Sequence, residues 1–388
     1  MLRPYRPENV IGDFTSGRTF SAPNGDPIVY MKVEHDRHTF QIRGDDGVWH
    51  RYAVDYTIGS KWQQAYGTRL PDGRIQVFPI QYNVVTHQWI NYWQRIDPAG
   101  SERADVTGFH RMPETGNFQR NCAPCHTSQL RNGQNNDPSR ASFLEGGINC
   151  EMCHGPSAAH VAAKQKGTTD SKQPIDRPPV EYHKVGNRDA VRICAQCHMQ
   201  SAIRSSNEDG GGEFSPKYLQ RPYQEFLRKA FYKDGRFRET TFIVEAFMRS
   251  RCFRKGEAQC GHCHNPHLAG RDADHTSLKF AERPDEMCLQ CHTKYRENPE
   301  SHTHHRVASD GSRCRSCHMP RIMNSLLFKA RSHQIDEIPH PENALRFGEM
   351  ESPIACLECH SGENISWVQK NLRSWTEMPV AQIPHGSR

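Results

Sequence analysis

Apolar and polar residues alternate along four stretches in the first quarter of the chain, which is the pattern of half-buried β-strands. The stretches are Ile28–Val33, His38–Arg43, Trp49–Ile58 and Arg74–Val85. Two of the gaps between apolar stretches carry residues typical of hairpin turns, GDDG at 44–47 and PDG at 71–73. The pattern predicts a small antiparallel β-lobe over residues 1–105.

From residue 106 onward the alternation gives way to short stretches with helical spacing. These are Tyr223–Phe231, Phe237–Met248 and Ile365–Trp375. Three consecutive glycines at 210–212 predict a loop tip, and the polar, proline-rich stretch Gly167–Pro179 predicts an extended linker. We therefore predict a second domain over residues 106–388 that is made of short helices and irregular segments.

One pattern, Cys-x-x-Cys-His, recurs throughout this second part. It is the attachment signal of a c-type haem: both thiols bond to the haem vinyl groups, and the histidine binds the iron. Disulfides or zinc ribbons would leave the recurring histidine unexplained. We expect seven covalently bound haems c, because the motif occurs seven times. The copies are Cys122, Cys125 and His126; Cys150, Cys153 and His154; Cys194, Cys197 and His198; Cys260, Cys263 and His264; Cys288, Cys291 and His292; Cys314, Cys317 and His318; and Cys356, Cys359 and His360.

The composition agrees with a fold built around these groups. Only 35% of the 388 residues are hydrophobic and the mean hydropathy is −0.84, which is poor for a chain of this length. Porphyrins are large apolar plates that can supply the missing core. We predict a mostly irregular and helical polypeptide that wraps haems and follows a small N-terminal antiparallel β-lobe, and that is largely unfolded without haem.

The net charge of +6 does not indicate a nucleic-acid partner. Each haem carries two propionates that are ionised near neutral pH, and the excess of Lys and Arg balances them. No stretch approaches the about 18 apolar residues of a membrane span, so membrane association would be peripheral, through a partner. The start, MLRPYRPENV, has no apolar segment of a signal peptide. Covalent haem attachment of this type takes place outside the bacterial inner membrane, so we expect a periplasmic or extracellular protein.

The histidines outside the motifs are the candidates for the second iron ligand. Seven of the 23 histidines close motifs, which leaves sixteen for seven irons and favours two histidines on every iron. His160 and His267 follow a motif so closely that each would bind a neighbouring haem. One of His302, His304 and His305 is expected to bind iron. The remaining candidates precede a motif, namely His333, His340, His110 and His183.

Cys252 is the one cysteine that no motif uses. We interpret it as a buried or half-buried free thiol. A ligand or crosslinking role is the alternative, since an odd thiol in an exported protein is unusual.

Two motif neighbourhoods resemble known families. CEMCHGPSAAH (150–160) resembles the CHGPxxxH motif of tetrahaem cytochromes c554 and octahaem hydroxylamine oxidoreductases, and CGHCHNPH (260–267) resembles the doubled-CxxCH pattern. The resemblance covers about residues 50–375. It implies haems with two histidine ligands, in stacked parallel and perpendicular pairs, and it implies distal ligands at His160, His267, His305 and His333. The CxxCK motif of pentahaem nitrite reductases is missing, and no tyrosine here matches the crosslink of hydroxylamine oxidoreductases, which speaks against those enzymes.

Electron transfer along a series of haems is the leading functional hypothesis. Its partners would be other redox proteins or copies of the chain itself. One version is a periplasmic relay or complex subunit. The other is a subunit of an extracellular filament, a homopolymer in which His35, His38 or His50 could bind the iron of the next subunit. The alternative is a redox enzyme with one open haem that acts on a small nitrogen or sulfur compound, against which the surplus of histidines argues.

Overall fold

The computed structural model describes residues 1–14, 18–97, 100–167, 178, 180–182, 184–199, 230–267, 277–325, 328–335 and 341–377. These residues divide into two compact units, here called unit 1 (described residues up to 182) and unit 2 (described residues from 184). The sequence-based division at residue 105 stays a prediction.

The strands lie mainly in unit 1. Their bounds are β1 (Leu2–Pro4), β2 (Thr19–Ser21), β3 (Pro27–Glu34), β4 (Arg37–Arg43), β5 (Trp49–Ala53), β6 (Tyr56–Ile58), β7 (Gln63–Arg69), β8 (Ile75–Val77), β9 (Ile80–Asn83), β10 (Gln88–Asn91), β11 (Thr127–Ser128) and β12 (Glu145–Gly146), followed in unit 2 by β13 (Met323–Asn324) and β14 (Lys329–Ala330).

Two antiparallel sheets form the N-terminal region, which confirms the predicted β-lobe. One has four strands in the order β2-β3-β4-β5, and the other has six, with β1-β6-β7-β9-β10 in order and β8 paired to β7. Both predicted turns join paired strands: GDDG connects β4 to β5, and PDG connects β7 to β8.

Two predicted strands are wrong in extent. The stretch Trp49–Ile58 breaks after Ala53, because β5 pairs with β4 in one sheet while β6 pairs with β1 and β7 in the other. The stretch Arg74–Val85 breaks around Pro79 into β8 and β9. Proline lacks the backbone N–H that a strand interior donates to its neighbour.

An aromatic cluster fills the core of this lobe. Phe14, Phe40, Tyr66 and Phe78 are almost completely buried, and Trp89 packs against them from β10. The Phe40 and Phe78 rings stack with centroids 4.4 Å apart. The lobe therefore has an apolar core made of its own side chains.

The helices are short, as the dense motif spacing predicts. In unit 1 they are α1 (Tyr92–Ile96), α2 (Phe118–Asn121), α3 (Ala123–His126), α4 (Glu151–His154) and α5 (Ala158–Gln165). In unit 2 they are α6 (Asn187–His198), α7 (Ile243–Arg249), α8 (Arg251–Arg254), α9 (Cys260–Cys263), α10 (Glu286–Leu289), α11 (Glu300–Thr303), α12 (Cys314–His318), α13 (Pro341–Phe347), α14 (Ala355–Cys359) and α15 (Ile365–Glu377).

The helix predictions agree with these bounds where they can be compared. α15 covers the predicted terminal helix, and its Val368 packs with Ala344 and Ile354. The stretch Phe237–Met248 is helical only in its second half, after one 3-10 turn. Most of Tyr223–Phe231, the glycines at 210–212 and most of the predicted linker lie outside the described residues.

Unit 2 contains small apolar clusters in place of one large core. One groups Tyr232, Phe237, Phe242 and Met323, a second groups Val191, Val244 and Phe253, and the third is the α15 cluster already described. Among the described residues, no helix is long and apolar enough to cross a bilayer.

Candidate functional site

Each Cys-x-x-Cys-His motif coincides with a short helix. Most of these helices begin inside or just before their motif. The third is different, because its motif forms the C-terminal end of the twelve-residue helix α6, which begins seven residues before Cys194. The motif helices in chain order are α3, α4, α6, α9, α10, α12 and α14.

The second cysteine of each motif follows the first by about one helical turn. The Cys125 N–H donates to the Cys122 carbonyl over 3.2 Å, and the Cys153 N–H donates to the Cys150 carbonyl over 3.1 Å. Cys197 lies in the last turn of α6. Residues three apart on a helix share one face, so both thiols of a motif can reach one haem. The second cysteines are half-buried at Cys125, Cys153, Cys197, Cys263 and Cys317, and exposed at Cys291 and Cys359.

All fifteen cysteines lie within the described residues, and no disulfide joins any two of them there. Attachment of haem to each motif pair stays a prediction from the sequence.

A small hairpin joins the two motifs of unit 1. Strand β11 follows His126 directly, and it pairs with β12. The Gly147 N–H then donates to the His126 carbonyl over 2.9 Å, three residues before Cys150. The hairpin fixes the start of the second motif against the end of the first.

In unit 2 the third, fourth and fifth motifs contact one another in chain order. Helices α6 and α9 pack together, so His198 lies close enough to His264 for the two charges to interact. The Gln290 side chain donates from the fifth motif to the His262 carbonyl in the fourth, over 3.2 Å. Cys263 and Cys291 are also electrostatic neighbours.

The order continues through the sixth and seventh motifs. The sulfurs of Cys288 and Cys314, from the fifth and sixth motifs, are close enough to form a hydrogen bond. The Cys314 N–H donates to Asp285 over 3.0 Å at the same junction. Helices α12 and α14 pack together, and the Arg321 N–H donates to Glu358 over 2.7 Å.

Three motif histidines lie near a second histidine that is outside the motifs. The ring centroids of His264 and His333 are 6.3 Å apart. Those of His318 and His302 are 6.0 Å apart. Those of His360 and His305 are 6.1 Å apart.

This separation fits one metal ion between two imidazoles. With metal–nitrogen bonds of about 2.0 Å, two rings on opposite sides of one ion have centroids about 6.3 Å apart. Directly stacked rings would be closer, as the 4.3 Å between His304 and Trp375 shows. The residues present therefore fit an iron with two axial histidines at these three motifs.

The histidine of the fifth motif, His292, has a different neighbour. It is exposed, and it precedes the 3-10 helix Thr293–Tyr295. Its ring lies near that of Tyr295, with centroids 6.4 Å apart and planes 32° from parallel. Tyr295 also contacts His302, with centroids 4.4 Å apart. The role of His292 as an iron ligand therefore stays a prediction from its motif, because this ring contact is with a tyrosine.

Backbone carbonyls orient several of the histidine rings. Nδ1 of His305 lies 2.6 Å from the Thr303 carbonyl, and Nδ1 of His333 lies 3.1 Å from the Arg331 carbonyl. In the motif histidine His154, Nδ1 lies 2.8 Å from the Val180 carbonyl. A carbonyl accepts only from a protonated nitrogen, so Nδ1 carries the proton and Nε2 keeps its lone pair for a metal.

Burial keeps several candidate ligands neutral. It lowers the pKa of His126 to about 4. Burial, with nearby His264 and His198, lowers the pKa of His333 to about 4. Burial also lowers the pKa of His302 and of His198. Neutral imidazole is the form that binds metal ions, so these rings are prepared for ligation at neutral pH.

A half-buried arginine anchors the segment that carries His333. Arg331 donates to the carbonyls of Arg315 and Met319 at the end of α12, over 2.7 and 2.9 Å. Burial lowers the pKa of its guanidinium to about 10. Because His333 faces His264, this segment links the sixth motif to the fourth.

The other predicted ligands are placed as follows. His160 is partly buried on α5, and His267 is exposed just after the fourth motif. His110 stacks on His50, with centroids 5.0 Å apart. His183 and His340 lie outside the described residues.

The sequence analysis expected one ligand in the group His302, His304 and His305, and the structure brings two of these, His302 and His305, near motif histidines. Cys252 is half-buried, as predicted, and burial raises the pKa of its thiol. Its electrostatic neighbours are Cys263 and Cys291.

The chain resembles known proteins in two regions of its sequence and in its fold. Residues 253–297 match the doubled CXXCH motif family, and residues 85–155 match the family of cytochrome c554 and c-prime. The crystal structure of the outer cell wall cytochrome OcwA is similar, with a TM-score of 0.51 and 17% sequence identity over 83% of this chain and 75% of that one. The chain is a multihaem c-type cytochrome. No curated protein matches this cytochrome.

The resemblance to OcwA concerns the fold of the cytochrome, since the two sequences are only 17% identical. Electron transport and bound haem c follow from the two matched families and the motifs.

Proposed function

We propose that this cytochrome transfers electrons along a series of seven covalently attached haems c, one at each Cys-x-x-Cys-His motif. Haem c supplies a one-electron iron(III)/iron(II) couple when bound. The observation that supports the proposal is the contact of consecutive motifs in unit 2, from the third to the seventh, in chain order. Such contacts hold neighbouring redox groups close together, and electron transfer between them needs proximity.

In this proposal the protein residues attach the haems, orient them and shield them from solvent. The motif cysteines hold each haem by two bonds, and the motif histidine binds one face of the iron. His333, His302 and His305 close the other face at the fourth, sixth and seventh motifs. For the first, second, third and fifth motifs the sequence-based candidates stand, namely His160, His183, His267 and His340. His110 is a separate case, because its ring stacks on His50.

We also propose that the cytochrome works outside the inner membrane. Covalent haem attachment of this type takes place there, and the similar fold of OcwA belongs to a protein described as an outer cell wall cytochrome. Its partners would be other redox proteins, as for a periplasmic relay, or copies of itself, as for an extracellular filament.

Electron paramagnetic resonance of the oxidised holoprotein, with and without cyanide or nitrite, tests the proposal. Intact mass measured beforehand gives the number of attached haems. Seven haems, all low-spin and unchanged by the added ligands, would support a pure electron carrier. A high-spin signal of about one haem in seven that shifts on ligand addition would favour the enzyme alternative instead.

A further inference from the structure

A second kind of histidine pair, in which neither residue belongs to a motif, occurs at the β-lobe. His50 on β5 and His110 in the 3-10 helix Thr107–Arg111 stack with centroids 5.0 Å apart and planes 7° from parallel. This separation is shorter than the about 6.3 Å that an ion between opposed imidazoles requires. The two rings therefore lie side by side, and both present a nitrogen to the same space.

A carboxylate completes this cluster. Asp46, in the β4–β5 turn, places Oδ2 2.9 Å from Nε2 of His50. Ligand atoms of Asp46, His50 and His110 all lie within 4.8 Å of one another. Asp45 lies beside them, with Oδ1 3.4 Å from Nε2 of His110.

Hydrogen bonds with the backbone orient two of these groups, Asp46 and His110. The Val48 N–H donates to Oδ1 of Asp46 over 2.9 Å, which leaves Oδ2 directed at His50. Nδ1 of His110 lies 3.0 Å from the Thr107 carbonyl, so it carries the proton and Nε2 offers its lone pair. This is the outer-shell arrangement that metal-binding histidines commonly have.

The surrounding chain holds the cluster together. Arg111 pairs with both Asp45 and Asp105, which ties the 3-10 helix to the β4–β5 turn. Gly44 leaves room for this arrangement. A side-chain carbon there would lie 2.3 Å from Oδ1 of Asp46 and 3.0 Å from Nε2 of His50.

We propose that His50, His110 and Asp46 bind one divalent transition-metal ion of the zinc class, at a site separate from the haem irons. Two imidazole nitrogens and one carboxylate oxygen are a common ligand set for Zn²⁺. Ligand atoms of a tetrahedral zinc site are about 3.3 Å apart. Nε2 of His50 and Oδ2 of Asp46 are 2.9 Å apart and would separate slightly, and the remaining ligand atoms, which lie within 4.8 Å, would move closer together. When Zn²⁺ takes the place of the proton that Nε2 of His50 shares with Asp46, the ring shifts to its other neutral tautomer, with the proton on Nδ1.

Equilibrium dialysis of the full-length holoprotein against Zn²⁺, read by elemental analysis, tests the site. Wild type is compared with His50→Ala, His110→Ala and Asp46→Asn. The matched control is His87→Asn, which removes an exposed histidine of the same unit. Asparagine is chosen because it tolerates the positive φ of 54° that the backbone has at residue 87. Zinc-edge X-ray absorption of the wild type gives the donor set without interference from iron.

The wild type is expected to bind one Zn²⁺ per chain. Each cluster variant should bind Zn²⁺ at least about tenfold more weakly, and His87→Asn should bind it with the wild-type affinity. The absorption edge should show nitrogen and oxygen donors at about 2.0–2.2 Å. Equal binding by wild type and by a His50→Ala/His110→Ala double variant would overturn the proposal. A high-spin haem signal in His110→Ala would also overturn it, because it would identify His110 as an iron ligand.

Discussion

At the scale of single residues, three neighbouring histidines have three different environments. His302 faces His318, His305 faces His360, and His304 between them stacks on Trp375. The backbone explains this divergence. α11 ends at Thr303, and the next residue, His304, has a left-handed φ of 53° and ψ of 25°, so the chain changes direction between the two outer histidines.

Substitution of these histidines tests the proposed iron ligands one at a time. His302→Ala and His305→Ala should each convert about one haem in seven to the high-spin form, because each removes one strong-field ligand. His304→Ala is the matched control and should leave all haems low-spin. Electron paramagnetic resonance at low temperature measures the fraction. A high-spin signal in His304→Ala with none in the other two would refute the assignment.

A glycine lies against the His305 ring and gives a second test. A side-chain carbon at Gly311 would lie 2.2 Å from Cδ2 and 2.8 Å from Nε2 of His305. Gly311→Ala should therefore displace the ring and weaken the seventh haem's axial bond, seen as a shifted midpoint potential and a partial high-spin signal. Gly362→Ala, whose added carbon meets nothing within 4 Å, is the control. Equal spectra of the two variants would show that the ring is not constrained at this point.

The motif residues could be predicted from the sequence because covalent attachment fixes their spacing. The distal ligands could not be predicted with the same certainty. Their partners lie between 16 and 69 residues away in the three observed pairs, and a single left-handed residue decides which ring faces which motif. Neither the pairing of His333 with the fourth motif nor the role of His302 leaves a local sequence signal.

At the scale of elements, a turn around Asp234 fixes the chain segment that precedes the seventh motif. The Asp234 side chain is 3% exposed and receives bonds from Arg236 over 2.6 Å and from the Ser352 hydroxyl over 2.8 Å. Arg236 also donates to the Pro353 carbonyl, and Arg238 pairs with Glu351 over 2.7 Å. The chain just before Cys356 is therefore fixed from residues more than a hundred positions earlier.

Replacing Asp234 should destabilise unit 2. Asp234→Asn removes one partner of a buried ion pair and leaves Arg236 uncompensated, which costs about 3 kcal/mol in comparable cases. Chemical denaturation of the holoprotein measures the loss. Asp189→Asn is the matched control, because its pair with Arg192 is 63% and 78% exposed and contributes little. Equal stabilities of Asp234→Asn and Asp189→Asn would contradict a structural role for Asp234.

The same carboxylate predicts the response to acid. Burial alone would raise the pKa of Asp234, but the hydrogen bond and charge of Arg236 outweigh it, so the pKa lies below the usual value. A lowered folded-state pKa contributes stability that is present above about pH 4 and is lost as the pH falls through the folded-state value. The wild type should therefore lose more stability than Asp234→Asn as the pH falls below about 4. If the stabilities of the two proteins fall in parallel with pH, the Asp234–Arg236 pair does not contribute to the acid sensitivity of the fold.

Elements with strong local signals were predictable, and elements defined by tertiary partners were not. The GDDG and PDG turns and α15 follow from turn residues and helical spacing. The division of Trp49–Ile58 between two sheets depends on which strands pair with each half. Strand β7 is buried along most of its length and shows no alternation that would mark a half-buried strand.

At the scale of the whole molecule, the two units differ in what holds them together. The β-lobe has a continuous aromatic core of its own, whereas unit 2 has small separate clusters between its motifs. Packing between apolar side chains is therefore less extensive where most of the haem attachment is expected. This refines the expectation that the chain is largely unfolded without haem.

Production of the chain without haem attachment tests this difference. With all motif cysteines replaced by serine, limited proteolysis should leave an N-terminal fragment of about a hundred residues and digest the rest, because only the lobe buries enough apolar surface by itself. Circular dichroism should retain β-sheet and lose helix. Digestion of unit 2 at the same rate in haem-free and haem-loaded protein would contradict this prediction.

The contacts between consecutive motifs in unit 2 have a consequence for tolerance to damage. From the third motif to the seventh, each is joined to the next by packing or hydrogen bonds. When electron-transfer steps follow one another in series, the slowest step sets the overall rate. Weakening the junction at Asp285 or at Gln290 should therefore slow transport end to end, whereas damage at the seventh motif would only shorten the route.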